Sequence, residues 1–214
     1  MACWLFSGNA RDTSGNGYHG TVIGATLTTD RFGNANSAYS FNGSGDWIDI
    51  GNTTLGGNSH QLTVACWAKS SGLTSIGAAI VQRSDDQYQG GTATRVFRLE
   101  VTPSGEIGFG VNNIPPSNGI GILSQSGAFP YDNSWEHIAA TYDDARGLKI
   151  YLNGVKIADT TLTVGAIANL SIRTGIANKV NSTPPQWFKG EIDDIYIYSR
   201  ALSSSEIEAL SDDK

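Results

Sequence analysis

Apolar and polar residues alternate with a period of two along almost the whole chain, and that period belongs to strands. In "LTVACWAK", Leu62, Val64 and Cys66 fall on one face and Thr63, Ala65 and Trp67 on the other. "ACWLF", "HGTVIGA", "AAIVQR", "RVFRLEV", "GEIGFGV", "WEHIAATYD", "LSIRTGI" and "WFKGEIDDIYIYS" read the same way, and "AYSFNGSGDWIDIG" reads as two strands around Gly43 and Gly45. In "KIYLNGVKI", Asn153-Gly154 supplies the positive φ angles of a two-residue hairpin turn. One helix is expected, at "SSSEIEAL": Ser203 caps the first turn, Glu206 reaches back, and Ile207 and Leu210 share an apolar stripe. A chain with so many short antiparallel strands must stack or close its sheets to bury its apolar faces and protect its edges. The expectation is therefore all-β: a two-sheet antiparallel jelly-roll sandwich with one short C-terminal helix, and a barrel as second choice.

The 214 residues fit a single domain, 1–214. A formal net charge of −6 argues against nucleic acid or an anionic membrane as partner, and is compatible with bound cations and neutral ligands. No run approaches the roughly 18 consecutive apolar residues of a membrane span, so membrane insertion is not expected. With 26 glycines and only 16% charged residues the composition is turn-rich and β-type. Cys3 and Cys66 both fall in expected strands; buried free thiols are the first reading, and a disulfide is left open. Met1 runs straight into the first strand, as in an excised domain with an added start codon.

Two stretches carry acidic chemistry. In "DTSGNGYHG", Asp12, Ser14 and Asn16 stand at alternate positions before Gly17, and the Tyr18 carbonyl follows. That is the first half of a calcium loop, with too few ligands of its own. The other reading is a glycine turn held by Asx hydrogen bonds. In "GEIDDIYIYS", Glu191 and Asp193 lie on one face of a strand. Such a pair suits either a metal or a glycoside hydrolase. His19, His60 and His137 are dispersed, and neither a zinc-spaced cluster, a serine elbow nor a phosphate loop is present in the sequence.

"DTSGNGYHGTVIGATLTTDRFGNANSAYSFNGSGDWIDIG", "LTVACWAKS", "WEHIAATYDDARGLKIYLNGVKI" and "FKGEIDDIYIYSRALSSSEIEAL" together resemble, in order, the segments of a laminin-G-like, concanavalin A-like lectin/glucanase jelly-roll domain. The resemblance implies two sheets of about six or seven strands. It also implies a structural Ca2+ ion held by Asp12, Asn16, the carbonyls of Tyr18 and Gly43, and Asp193. The family often has Asp at the place of Asn42. Laminarinase-type relatives carry Glu-x-Asp-x-x-Glu on a mid-chain strand. Here the closing strand ends the pattern in Tyr196, so the acidic stretch reads as scaffold and catalysis is not expected.

Modules of this kind hold sugars by stacking aromatics on the ring and hydrogen-bonding its hydroxyls. The residues expected to do so lie in three long loops, 84–93, 112–119 and 178–186. They are Tyr88, beside Asp85, Asp86 and Gln87; Asn112 and Asn113, with Asn118; and Asn178 and Trp187, with Lys179 and Asn181. Arg83 stands at a loop base. The expected function is a non-catalytic carbohydrate-binding module, monomeric, within a larger secreted or surface protein, with a polysaccharide or glycan as partner. The alternatives are an adhesin or protein-interaction spacer without sugar affinity, and a jelly-roll polysaccharide lyase or hydrolase using Arg98, Arg173, His137 and strand tyrosines.

Overall fold

The structure, a computed structural model, describes residues 1–73, 77–85, 94–113, 119–179 and 186–212. Along the chain run β1 (Ala2–Trp4), β2 (Thr21–Ile23), β3 (Thr26–Thr28), β4 (Ala38–Asn42), β5 (Trp47–Thr53) and β6 (Gln61–Lys69). Next come β7 (Ala78–Asp85), β8 (Thr94–Val101), β9 (Ile107–Asn113), β10 (Ile120–Leu123), β11 (Glu136–Asp143) and β12 (Gly147–Leu152). Last are β13 (Val155–Thr160), β14 (Ile172–Ile176), β15 (Asn178–Lys179), β16 (Gln186–Trp187), β17 (Lys189–Tyr198) and the helix α1 (Ser204–Asp212). One sheet has the order β13-β12-β11-β6-β17-β4-β3, with β1 also on β17; the other has β10-β9-β8-β7-β14-β5-β2. Every pairing is antiparallel. This is the two-sheet jelly-roll sandwich the alternation predicts.

Alternate residues of each strand meet between the sheets. Val64, Cys66, Ile138, Ala140, Ile195 and Ile197 come from the first sheet, and Phe97, Leu99, Phe109, Val111, Ile48 and Ile176 from the second, all buried in one cluster. Cys3 and Cys66 are both free thiols. A second, smaller apolar cluster lies on the outer face of the first sheet, where Leu202 and Ile207 cover Ala65, Ala139 and Tyr151.

The β12–β13 turn has φ of 49° at Asn153 and 79° at Gly154, as its Asn-Gly sequence requires. Gly154 is needed twice over, because a Cβ there would lie 2.7 Å from Ser211 Oγ of α1, which packs against the turn. The Asn153 side chain ties the same turn back to β11, accepting the His137 N–H at 2.9 Å. The Ser203–Glu206 capping box forms as expected: Ser203 N–H donates to Glu206 Oε2 at 2.8 Å, and Glu206 N–H to Ser203 Oγ at 3.3 Å.

Two features position the sites. The strands flanking Gly43 and Gly45 pass into opposite sheets, β4 into the first and β5 into the second. The last strand, β17, changes neighbour part-way. Lys189 to Ile192 pair with β4, and Ile195 to Ile197 with β1. Between them the register against β6 shifts across Asp193 and Tyr196, and Asp194 takes a φ of 42°. A bulge of this kind turns two successive side chains toward the same region.

Candidate functional sites

The bulge sets up the first site, on the outer face of the eight-stranded sheet. Register places Asp193, Trp67 and His137 in one row across β17, β6 and β11. Over this row lies Arg31, from the β3–β4 connection. Its Nη1 stands 2.5 Å from Asp193 Oδ2 and 2.8 Å from Asp194 Oδ2. The guanidinium also lies 4.2 Å from the Phe32 ring centroid and 5.0 Å from that of Trp67. Burial and the neighbouring Asp194 push the Asp193 carboxyl up to about 7, against the opposing pull of Arg31. Burial, with the Arg31 charge beside it, pushes His137 down to about 4, so its imidazole is neutral near pH 7. One row further on, Lys69 pairs with Glu191 at 3.0 Å and lies over the Trp135 ring. Both carboxylates of the "EID" stretch are therefore engaged by protein cations.

Asp12 stands in a different network. Its Oδ1 accepts the N–H groups of Cys3 at 3.0 Å and Ser14 at 2.9 Å. Its Oδ2 accepts Ser14 Oγ at 2.9 Å and Tyr18 N–H at 3.0 Å. Burial raises its pKa, but these bonds outweigh burial and hold it below the usual value. Asn16 turns its amide nitrogen to the Met1 carbonyl, at 2.9 Å, and the Tyr18 carbonyl accepts the Trp4 indole N–H at 2.8 Å. Gly43 lies in the turn between β4 and β5 with φ of 76°. The first loop is thus closed by Asx-type bonds, the second reading of its sequence. Calcium takes six to eight oxygen ligands. Here the two carboxylates expected to carry its binding face N–H donors and a guanidinium, and among the described residues no three His, Cys, Asp or Glu side chains converge as a metal site. That donor set, as arranged, does not fit the ion.

The second site is a trough on the outer face of the seven-stranded sheet, a cavity of about 500 Å³. Phe97, Leu99 and Val101 of β8 point into the core, so Arg98 and Glu100 point out, and they pair at 2.5 Å. Gly110 of β9 and Gly121 of β10 lie opposite each other in register and floor the trough. A Cβ at either would meet only the backbone of its partner strand, at 3.2 Å from Ile120 O and 3.3 Å from Phe109 O. Arg95 and Leu123 complete the walls. On β7, Gln82 stands opposite Arg98; it is buried, its Nε2 donates to the Asn178 carbonyl at 2.7 Å, and its Oε1 has no partner. The loops after β7 and β9 leave from the same end of this sheet, where Arg95 and Asn113 are paired.

Of the residues expected to hold sugar, Arg83, Asn112 and Asn178 are buried. Arg83 is fully buried, donating to the carbonyls of Leu55 and Ala168, and burial pushes it down to about 10. Asn112 is buried too; its Nδ2 donates to Ala166 O at 2.7 Å and its Oδ1 accepts Ala168 N–H at 2.9 Å. Both brace the 166–168 segment and present nothing to solvent. Asn178 is buried beneath its pairing with the half-buried Trp187. Tyr88, and with it Asp86, Gln87, Asn118, Asn181 and the side chains of Asp85, Asn113 and Lys179, lie outside the described residues. Sequence reasoning took up Arg98 only for a lyase and singled out neither Glu100 nor the glycine floor. The signal was there: "RLE" alternating with apolar residues, opposite "GFGV" and "GIGI".

The residues considered for a lyase do not assemble. Arg98 and Arg173 stand in the seven-stranded sheet, Arg173 against Asp49 at 3.5 Å, and His137 stands in the other.

A family model described as the concanavalin A-like lectin/glucanases superfamily matches residues 42–208. The chain belongs to this superfamily. No curated protein matches it in sequence. Among solved structures, domain 4 of an extracellular arabinanase from Geobacillus stearothermophilus, in complex with arabinotriose, is similar at TM-score 0.72 and 22% identity, over 98% of this chain and 97% of that one. The CBM40 of a Ruminococcus gnavus IT-sialidase, bound to α2,3-sialyllactose, is similar at TM-score 0.59 and 18% identity, over 73% and 84%. The binding domain of botulinum neurotoxin DC, in complex with SialylT, gives 0.71 and 17%, over 99% of this chain and 50% of that one. At these identities the likeness is one of fold.

Proposed function

We propose that this superfamily member is a non-catalytic carbohydrate-binding module of a larger extracellular protein, and that the trough between Arg98 and Leu123 receives the glycan. The observation that carries this is the glycine floor beside a charged pair. Gly110 and Gly121 leave the floor without side chains, and the Arg98–Glu100 pair offers donors and acceptors to adjacent hydroxyls. The arabinotriose and sialyllactose complexes of proteins with this fold support sugar as the ligand class and a binding role apart from catalysis.

Affinity electrophoresis against soluble arabinans and other polysaccharides, with a glycan array that includes sialylated oligosaccharides, tests the reading. Retardation or array binding is expected. Arg98→Ala is expected to weaken it about 10–100-fold, the worth of one charge-assisted hydrogen bond. A blank result across both panels favours the spacer reading. Sugar release from polysaccharide by the isolated domain would make it an enzyme.

A further inference from the structure

We infer that Arg31 is this domain's built-in substitute for a divalent cation: its guanidinium locks the β3–β4 connection onto the last strand, and the fold needs no calcium. The inference is independent of sugar binding. Three observations carry it. First, the β17 bulge turns Asp193 and Asp194 toward one point at the seam where β17 exchanges β4 for β1. Two ionised carboxylates left alone there would repel each other, so either one keeps its proton or a cation sits between them. Second, Arg31 supplies that cation. One nitrogen reaches both carboxylates, and the side chains of Arg31, Asp193 and Asp194 are only 6%, 2% and 12% exposed. Its guanidinium also lies over the rings of Phe32 and Trp67, contacts an ion would not require. Third, the loop is built to present it. Asp30 Oδ1 accepts the N–H groups of Phe32 at 2.9 Å and Asn34 at 2.8 Å, closing the turn on both sides of Arg31.

The contacts join positions 162 apart in sequence, the mechanical task an ion would otherwise perform. A divalent ion on the same carboxylates would have to displace the guanidinium or stand beside it. Charge repulsion opposes the second and loss of the aromatic packing opposes the first.

Melting curves of the purified domain, first in millimolar calcium and then in excess chelator, test this. The wild type is expected to melt within about 1 °C in both. Arg31→Ala leaves two buried carboxylates facing each other and is expected to lower the melting temperature by about 10 °C. The triple variant Arg31→Met, Asp193→Asn, Asp194→Asn, neutral on both sides, is expected to recover most of that loss. Should Arg31→Ala fail to fold, the wild-type comparison and Arg31→Lys, which keeps the charge but not the planar fork and is expected to fold and melt below the wild type, still decide. A wild-type fall of more than about 4 °C in chelator, restored by calcium, overturns the inference. So does an Arg31→Ala variant that melts with the wild type.

Discussion

His137 and Asp193 stand in one cross-strand row and titrate in opposite senses. The His137 imidazole, buried against Trp67 and near Arg31, takes up a proton only near pH 4 in the folded chain, against about 6.5 when unfolded. Between those values the unfolded chain holds the extra proton, so this residue's contribution to stability falls as the pH falls from about 6.5 to about 4. One proton over that span amounts to at most ~3 kcal/mol. Asp193, pushed up to about 7 by burial and Asp194, works the other way. The folded chain holds its proton first, so its contribution rises as the pH falls from about 7 toward 4. Comparison with His137→Leu isolates the histidine. Urea unfolding of both chains at pH 7 and pH 4.5 is expected to show the wild type losing about 2 kcal/mol relative to the variant. A constant difference between the two would show that the imidazole is not held neutral by its surroundings. The residue scale also explains why Arg83 and Asn112 were misplaced: their side chains are long or amide-bearing in either setting, and only the fold turns them onto buried carbonyls.

At the scale of the element, α1 shows how little of a short helix's stability is its own. Nine residues are marginal alone in water, and the helix stands because its apolar stripe is buried. Ile207 is fully buried against Tyr151 and its neighbours, whereas the capping box at Ser203 lies at the surface. Ile207→Ala is therefore expected to cost about 2–5 kcal/mol. Ser203→Ala is expected to cost about 0.5–2 kcal/mol. Denaturant unfolding checks both. An Ile207→Ala variant that costs no more than the cap variant would mean that the outer cluster contributes little. The capping box, the stripe and the Asn153-Gly154 turn were all legible in the sequence, because each is a contact among residues a few positions apart. The β17 bulge was not. "EIDDIYI" alternates well enough to read as an unbroken strand, and the shift arises where two different neighbours, β4 and β1, meet along one edge.

For the whole molecule, the chain's beginning and end are one structural unit. β1 pairs with β17, and Trp4 and Phe6 are buried in the core beside residues of both sheets. Loss of either aromatic alone costs about 3–5 kcal/mol, and a domain's whole stability is about 5–15 kcal/mol. Removal of residues 1–8 is therefore expected to abolish the cooperative melt and expose apolar surface to a hydrophobic dye. A truncated chain that still melts sharply, within a few degrees of the full one, would show that β17 can close its own edge. Pairing of the first strand with the last also defers much of the stabilisation until distant segments meet, so slow folding in milliseconds to seconds suits this topology.

The sequence alone determined that the chain is all-β, that it stacks two sheets, and where its tightest turn and its helix lie. Period-two alternation, Asn-Gly and a capping box act over a few residues, and water sorts apolar from polar side chains in the same way whatever the rest of the chain does. The tertiary structure decided which strand joins which sheet, which side chains meet across 100 residues or more, and where a ligand has room. β4 and β5 differ in sheet although only four residues, Gly43 to Asp46, join them. Asp193 and Asp194 meet an arginine from the third turn of the chain in place of the first-loop donors the sequence suggested. The floor of the trough is made by glycines, whose contribution is the absence of a side chain, and an absence has meaning only once its neighbours are in place.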